Sequence, residues 1–127
     1  MVINRGAFLE GDYQTVYDEV AATSELIGDD AHLKVILETA LLNWEEKVRA
    51  GSIAIEAGAG MLKTSTGFAE GGATPEDVSL LRRIAGEHRG VKAAGGIRTG
   101  ADTRAMIEAG ADRIGASRTV DILADER

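Results

Sequence analysis

The chain has 127 residues, a formal net charge of −7 and no cysteine, with 44% apolar and 28% charged residues. That length suits one domain and that composition a folded one. The charge argues against nucleic acid or an anionic membrane as partners, and the missing cysteine excludes disulfides, thiolate chemistry and Cys-type zinc sites.

Other exclusions follow from residue placement. His32 and His88 are the only histidines and lie far apart in the chain, which leaves little material for a His-based metal site or triad. No apolar run approaches the ~18 residues of a membrane span and no signal-peptide pattern is present, so a soluble, cytoplasmic protein is expected. Lysine occurs four times, at positions 34, 47, 63 and 92. Three of these fall in segments that read as strands, the reverse of strand preference.

In chain order, Met1–Asn4 reads as the end of a strand and Arg5–Gly11 as a loop. Asp12 caps a helix to about Ile27, with Tyr13, Val16, Tyr17, Val20 and Ile27 at helical spacing. Leu33–Glu38 is the next strand. Asn43 with Glu46 forms a capping-box start, and Trp44, Val48, Ser52 and Ile55 then share a helix face ending near Ala57-Gly58. Gly60–Thr64 is a strand, followed by a Gly-rich loop over Phe68–Ala73. Thr74-Pro75-Glu76-Asp77 gives a cap, a proline at the first helical position and acids in the first turn. Val78, Leu81 and Ala85 follow on one face. Gly90–Ala94 is a strand, Gly95–Arg98 a turn, and Thr99 with Asp102 opens a helix to Ala109. Asp112–Ala116 is the last strand, and a final helix begins at Ser117.

Ala54-Ile-Glu-Ala-Gly-Ala59 recurs as Met106-Ile-Glu-Ala-Gly-Ala111, each a helix end that returns to a strand. Five strands alternating with five helices through short connections imply a parallel α/β sheet. A doubly wound open sheet would carry near-continuously apolar strands and a Gly-rich turn after the first, and that turn is absent. Side-chain parity favours a (β/α)8 barrel of the TIM type, with its active site at the carboxyl ends of the strands. Leu62 and Thr64 face helices while Met61, Lys63 and Ser65 face inward; Val91 and Ala93 face out while Gly90, Lys92 and Ala94 face in. Leu33, Val35 and Leu37 share one face, and Lys34, Ile36 and Glu38 the other. The charged residues of three strands thus share one face.

Lys63 precedes Thr64-Ser65-Thr66-Gly67, a hydroxyl-rich turn. It reads either as a solvated strand-end lysine or as an amine nucleophile. A free lysine, with a pKa near ~10.4, is protonated and unreactive at neutral pH. Burial and a neighbouring cation favour the neutral amine, which attacks an aldehyde or ketone to form a Schiff base. Lys92 on the next strand supplies that cation. Glu38 has the parity to support the pair by hydrogen bond or proton transfer, although Lys34 and Glu38 also suit an interior ion pair. Lys92 alternatively serves as a phosphate-binding or structural lysine. Gly67, Gly95, Gly96 and Ser117 stand at strand ends, where glycines and helix starts bind phosphate, or where the glycines simply make tight turns.

Leu33-Lys-Val-Ile-Leu-Glu-Thr39, Lys63-Thr-Ser-Thr-Gly-Phe68, Gly71-Gly-Ala-Thr74, Val91-Lys-Ala-Ala-Gly-Gly-Ile-Arg98 and Met106–Ala111 together resemble deoxyribose-phosphate aldolase, from Met1 to about Ala116. The resemblance implies a class I aldolase barrel that cleaves 2-deoxyribose 5-phosphate to glyceraldehyde 3-phosphate and acetaldehyde, with no metal or other cofactor. It makes Lys63 the Schiff-base lysine and Lys92 the second lysine that lowers its pKa. It assigns Gly67, Gly95, Gly96 and Ser117 to the substrate phosphate. Three departures accompany it. The family's proton-transfer aspartate, expected just before Val2, is absent; the first three strand–helix units are absent; and Arg118 stands where the family commonly has a second serine.

The expectation is therefore one partial barrel domain over residues 1–127, of about five parallel strands. Five strands cannot close a barrel, and open edges with apolar surface promote self-association. The isolated chain is expected to be weakly active or inactive. Two other readings fit the same residues: another class I barrel aldolase acting on a phosphosugar, and a non-catalytic phosphate-binding half-barrel.

Overall fold

A computed structural model describes residues 1–125. Its helices are α1 (Arg5–Leu9), α2 (Tyr13–Ile27), α3 (Trp44–Glu56), α4 (Pro75–Ala85), α5 (Gly100–Glu108) and α6 (Thr119–Asp125). Its strands are β1 (Lys34–Ile36), β2 (Met61–Lys63), β3 (Gly90–Ala94) and β4 (Arg113–Gly115). The strands are parallel and stand in the order β1-β2-β3-β4. Because sheet order equals chain order, right-handed crossovers place every connecting helix on the same face. A doubly wound sheet would need the order to reverse, and here it does not.

The expected first strand is present only as a single parallel bridge, Val2 to Ile36. Ile3 N–H donates to the Ile36 carbonyl at 3.1 Å and Ile36 N–H to the Met1 carbonyl at 2.8 Å. The segment expected to be a loop after it contains α1. Asn4 caps this helix by accepting from Ala7 N–H, and Phe8 enters the core from it. The other helix starts follow the sequence reading. Asp12 accepts from Thr15 N–H, Thr74 accepts from Asp77 N–H, and both Asn43/Glu46 and Thr99/Asp102 form complete capping boxes.

Strand parity sets the core. Val35, Leu62, Val91 and Ala93 are fully buried beneath the helices, together with Val16, Val20, Val78 and Leu81. Burying a side chain the size of leucine contributes about 2–3 kcal/mol, so this face carries much of the fold. Helix α3 corrects the expected face. Trp44 and Val48 are exposed, and Ala50, Gly51 and Ala54 are buried instead. Small residues let α3 approach α4: a Cβ on Gly51 would lie 3.1 Å from Ile84 Cδ1. Lys47 joins the same contact, its Nζ 2.7 Å from the buried Asp77 carboxylate of α4.

Candidate active site

The inner face of the sheet differs in composition. Lys34, Ile36, Met61, Lys63, Gly90 and Lys92 are each partly exposed there. Register makes the arrangement specific: Lys63 is the direct cross-strand partner of Lys92, and Lys92 of Arg113. Ile36 flanks Lys63 on the other side. Three cations therefore stand side by side across β2, β3 and β4. Like charges directly opposite one another repel, and among the described residues none of the three is ion-paired with a carboxylate. Burial, and then the charges of Lys63, Lys34 and Arg113, push the Lys92 ammonium below its ordinary pKa.

Space for Lys92 is provided by Gly115 on β4, where a Cβ would meet Lys92 Cε at 3.1 Å and Ala94 Cβ at 3.0 Å. Arg113 and Gly115 escaped the sequence reading, although alternation along Asp112–Ala116 puts both on the parity of Lys92.

At the carboxyl ends of β2, β3 and β4 a cleft of about 450 Å³ opens. Lys63, Gly67, Gly95, Gly96 and Ser117 line it, along with Ile97 and Arg98. Gly95 and Gly96 both have positive φ, 88° and 77°, a conformation that costs a side-chain-bearing residue free energy. Among the described residues their N–H groups donate to no protein acceptor. The turn is clamped from behind: Ala73 N–H donates to the Ala94 and Gly95 carbonyls at 3.2 and 3.0 Å. Contact is so close that a Cβ on Gly72 would sit 2.3 Å from the Gly95 oxygen.

Glu38 lies at the end of β1, buried, with a left-handed backbone at φ 57°. Its carboxylate does not reach the lysines and does not pair with Lys34. Instead it accepts from Thr66 Oγ1 at 2.5 Å and from Thr66 N–H at 3.2 and 3.3 Å. Thr66 belongs to the turn after Lys63, so Glu38 fixes that turn. Thr64 ties the same turn to β3, its hydroxyl bridging the Ala94 N–H and carbonyl at 3.1 and 3.0 Å. Neither threonine's partner was apparent from the sequence. Among the described residues no group of three or more His, Asp or Glu side chains could hold a metal ion.

Known proteins bear on this arrangement. No family model matches the chain. It is 54% identical to the deoxyribose-phosphate aldolase of Brevibacillus brevis over 123 residues, covering 97% of this chain and 55% of that one. The solved aldolase QR15 superposes with a TM-score of 0.88 at 45% identity, over 98% of this chain and 56% of its own. The tetrameric deoxyribose phosphate aldolase of Aeropyrum pernix gives a TM-score of 0.83 at 38% identity, over 90% of this chain and 50% of its own. The chain thus spans about half the length of the relatives it matches. The four-stranded parallel sheet is part of their TIM-barrel-like fold. Sequence and fold together relate this chain, from end to end, to the deoxyribose-phosphate aldolase family.

Proposed function

We propose that this chain carries the Schiff-base half of a deoxyribose-phosphate aldolase, which cleaves 2-deoxy-D-ribose 5-phosphate reversibly to D-glyceraldehyde 3-phosphate and acetaldehyde. The observation that carries the reading is the direct pairing of Lys63 with Lys92 beside a cleft floored by the Gly95-Gly96 turn. Adjacent ammonium groups make loss of one proton from the pair easier. Once the pair has lost one proton, the proton that remains can reside on Lys92, and in that state Lys63 is a free amine. That amine adds to the C1 aldehyde of the open-chain sugar, and loss of water gives the iminium. Removal of the C3 hydroxyl proton then breaks the C2–C3 bond. The electron pair passes to the iminium nitrogen, leaving an enamine on Lys63 and releasing glyceraldehyde 3-phosphate. Protonation at C2 and hydrolysis release acetaldehyde and restore the amine.

Lys92, the cross-strand partner of Lys63, is the proton carrier in this reading. The free N–H groups of Gly95 and Gly96, with Ser117 and Gly67, suit the substrate phosphate at the far side of the cleft. Glu38 is a positioning residue, acting on Lys63 through Thr66. The edge of β4 and the half-exposed inner face support self-association of the chain.

Borohydride reduction in the presence of acetaldehyde tests the proposal. The expected result is one ethyl group added at Lys63, located by peptide mass mapping. A folded sample that yields no adduct at Lys63 would favour the non-catalytic phosphate-binding reading.

A further inference from the structure

A second cleft, of about 340 Å³, lies at the opposite end of the sheet. Its basic walls come from three separate segments: His32 and Lys34 at the start of β1, His88 and Arg89 before β3, and Arg113 at the start of β4. Met61 forms its apolar floor, lying so close over Gly90 that a Cβ there would meet Met61 Cε at 2.4 Å. No acidic residue lines the cleft, in a chain where acids outnumber lysine and arginine 21 to 14. Asp29 stands only in the neighbouring depression, which shares His32 and Arg89. Among the described residues none of the five basic side chains is ion-paired.

We infer that this amino-terminal cleft is a binding site for a small phosphate-bearing anion, distinct from the cleft at the carboxyl ends of the strands, with Arg113 also neighbouring Lys92. Cations gathered without counter-charge raise the local concentration of anions and repel one another until an anion enters. Arginine forks match phosphate oxygens two at a time, and lysine adds a point charge. The histidines add up to two more donors when protonated. The volume is near the lower end of the ~300–1,000 Å³ usual for small-ligand sites, which suits a mono- or diphosphate rather than a polypeptide segment.

The chain carries its own reporters, since its only two histidines both line this cleft. Their imidazole C–H proton signals are followed while the intact chain is titrated with pyrophosphate at constant ionic strength. Both signals should move saturably with one common midpoint. In Arg113→Gln the midpoint should weaken about tenfold, as for loss of one charge-assisted hydrogen bond, whereas Ser117→Ala, at the far end of the strands, should leave it in place. The inference is overturned if the signals move no further than sodium chloride of equal ionic strength moves them. Separate midpoints for the two histidines, or a midpoint that responds to Ser117→Ala and not to Arg113→Gln, overturn it equally.

Discussion

On the helix-covered face of the sheet, Val35, Leu62, Val91 and Ala93 have no solvent exposure, whereas on the opposite face Lys34, Lys63 and Lys92 keep part of theirs. The two sets alternate along the same strands, so each strand serves packing at one residue and chemistry at the next. Register then decides what the chemical face can do. Because Leu62 pairs with Val91, Lys63 must pair with Lys92. A one-residue slip of either strand would turn its lysine into the apolar core and expose that strand's core residues. Packing on one face thereby holds together two cations that would otherwise separate.

The largest effect should come from removing the nucleophile. Lys63→Met should abolish the borohydride-trapped adduct and lower any retro-aldol rate by on the order of a thousandfold or more, with the circular dichroism of the folded chain retained. An adduct that persists on another lysine would break the proposed division between the faces. Leu62→Ala, one residue earlier and pointing the other way, should do the reverse. It opens a cavity beneath the helices and should cost about 3 kcal/mol in denaturant-unfolding stability. Trapping by the fraction that remains folded should be preserved.

A smaller effect is expected of Glu38→Gln. The substitution removes the charge from the bonds to Thr66, and loss of such a charge-assisted hydrogen bond costs about 1.5–3 kcal/mol. Its signature should be a slower trapping rate, by about tenfold, with little change in the final amount of adduct, because the turn is displaced while the amine is intact. If Glu38 instead exchanged protons with the lysines, the pH profile of trapping would shift as well.

Much of this was legible in the sequence, and what was not has identifiable causes. Helix caps are local, so Asp12, Asn43, Thr74 and Thr99 could each be placed from residues within three positions. Alternation in Leu33–Glu38, Gly60–Thr64 and Gly90–Ala94 gave the inner face because parity has a period of two. The short helix α1 was missed because five residues offer too little periodicity to separate helix from loop. The buried face of α3 was misread because tight helix contact selects small residues, which carry little hydrophobic signal, over Trp44 and Val48. The partner of Glu38 lies 28 positions away, at the end of a neighbouring strand, and only the fold brings Thr66 to it. Arg113 was readable by parity but sits in a three-residue strand whose other members are Ile114 and Gly115.

The subtlest test concerns Lys92, where the two faces interact through stability. Its folded-state pKa is lowered by burial and by Lys63, Lys34 and Arg113, so the folded chain holds this proton less tightly than the unfolded chain does. Below the lowered value both states are protonated, and the cost of burying the charge is borne in full. As pH rises through that value toward the ordinary lysine value near ~10.4, the folded state loses the proton first and stability increases. Lys92→Met removes a charge that the fold holds at a cost, so it should raise the thermal midpoint at neutral pH, and this gain should shrink as pH approaches the unfolded lysine value. Lys34→Met, one level lower on the inner face and on a different strand, should give a smaller gain. A midpoint difference between wild type and Lys92→Met that stays flat from pH 7 to the ordinary lysine pKa would mean that the row of cations exerts no electrostatic strain, and the easier loss of a proton from the Lys63–Lys92 pair would lose its physical basis.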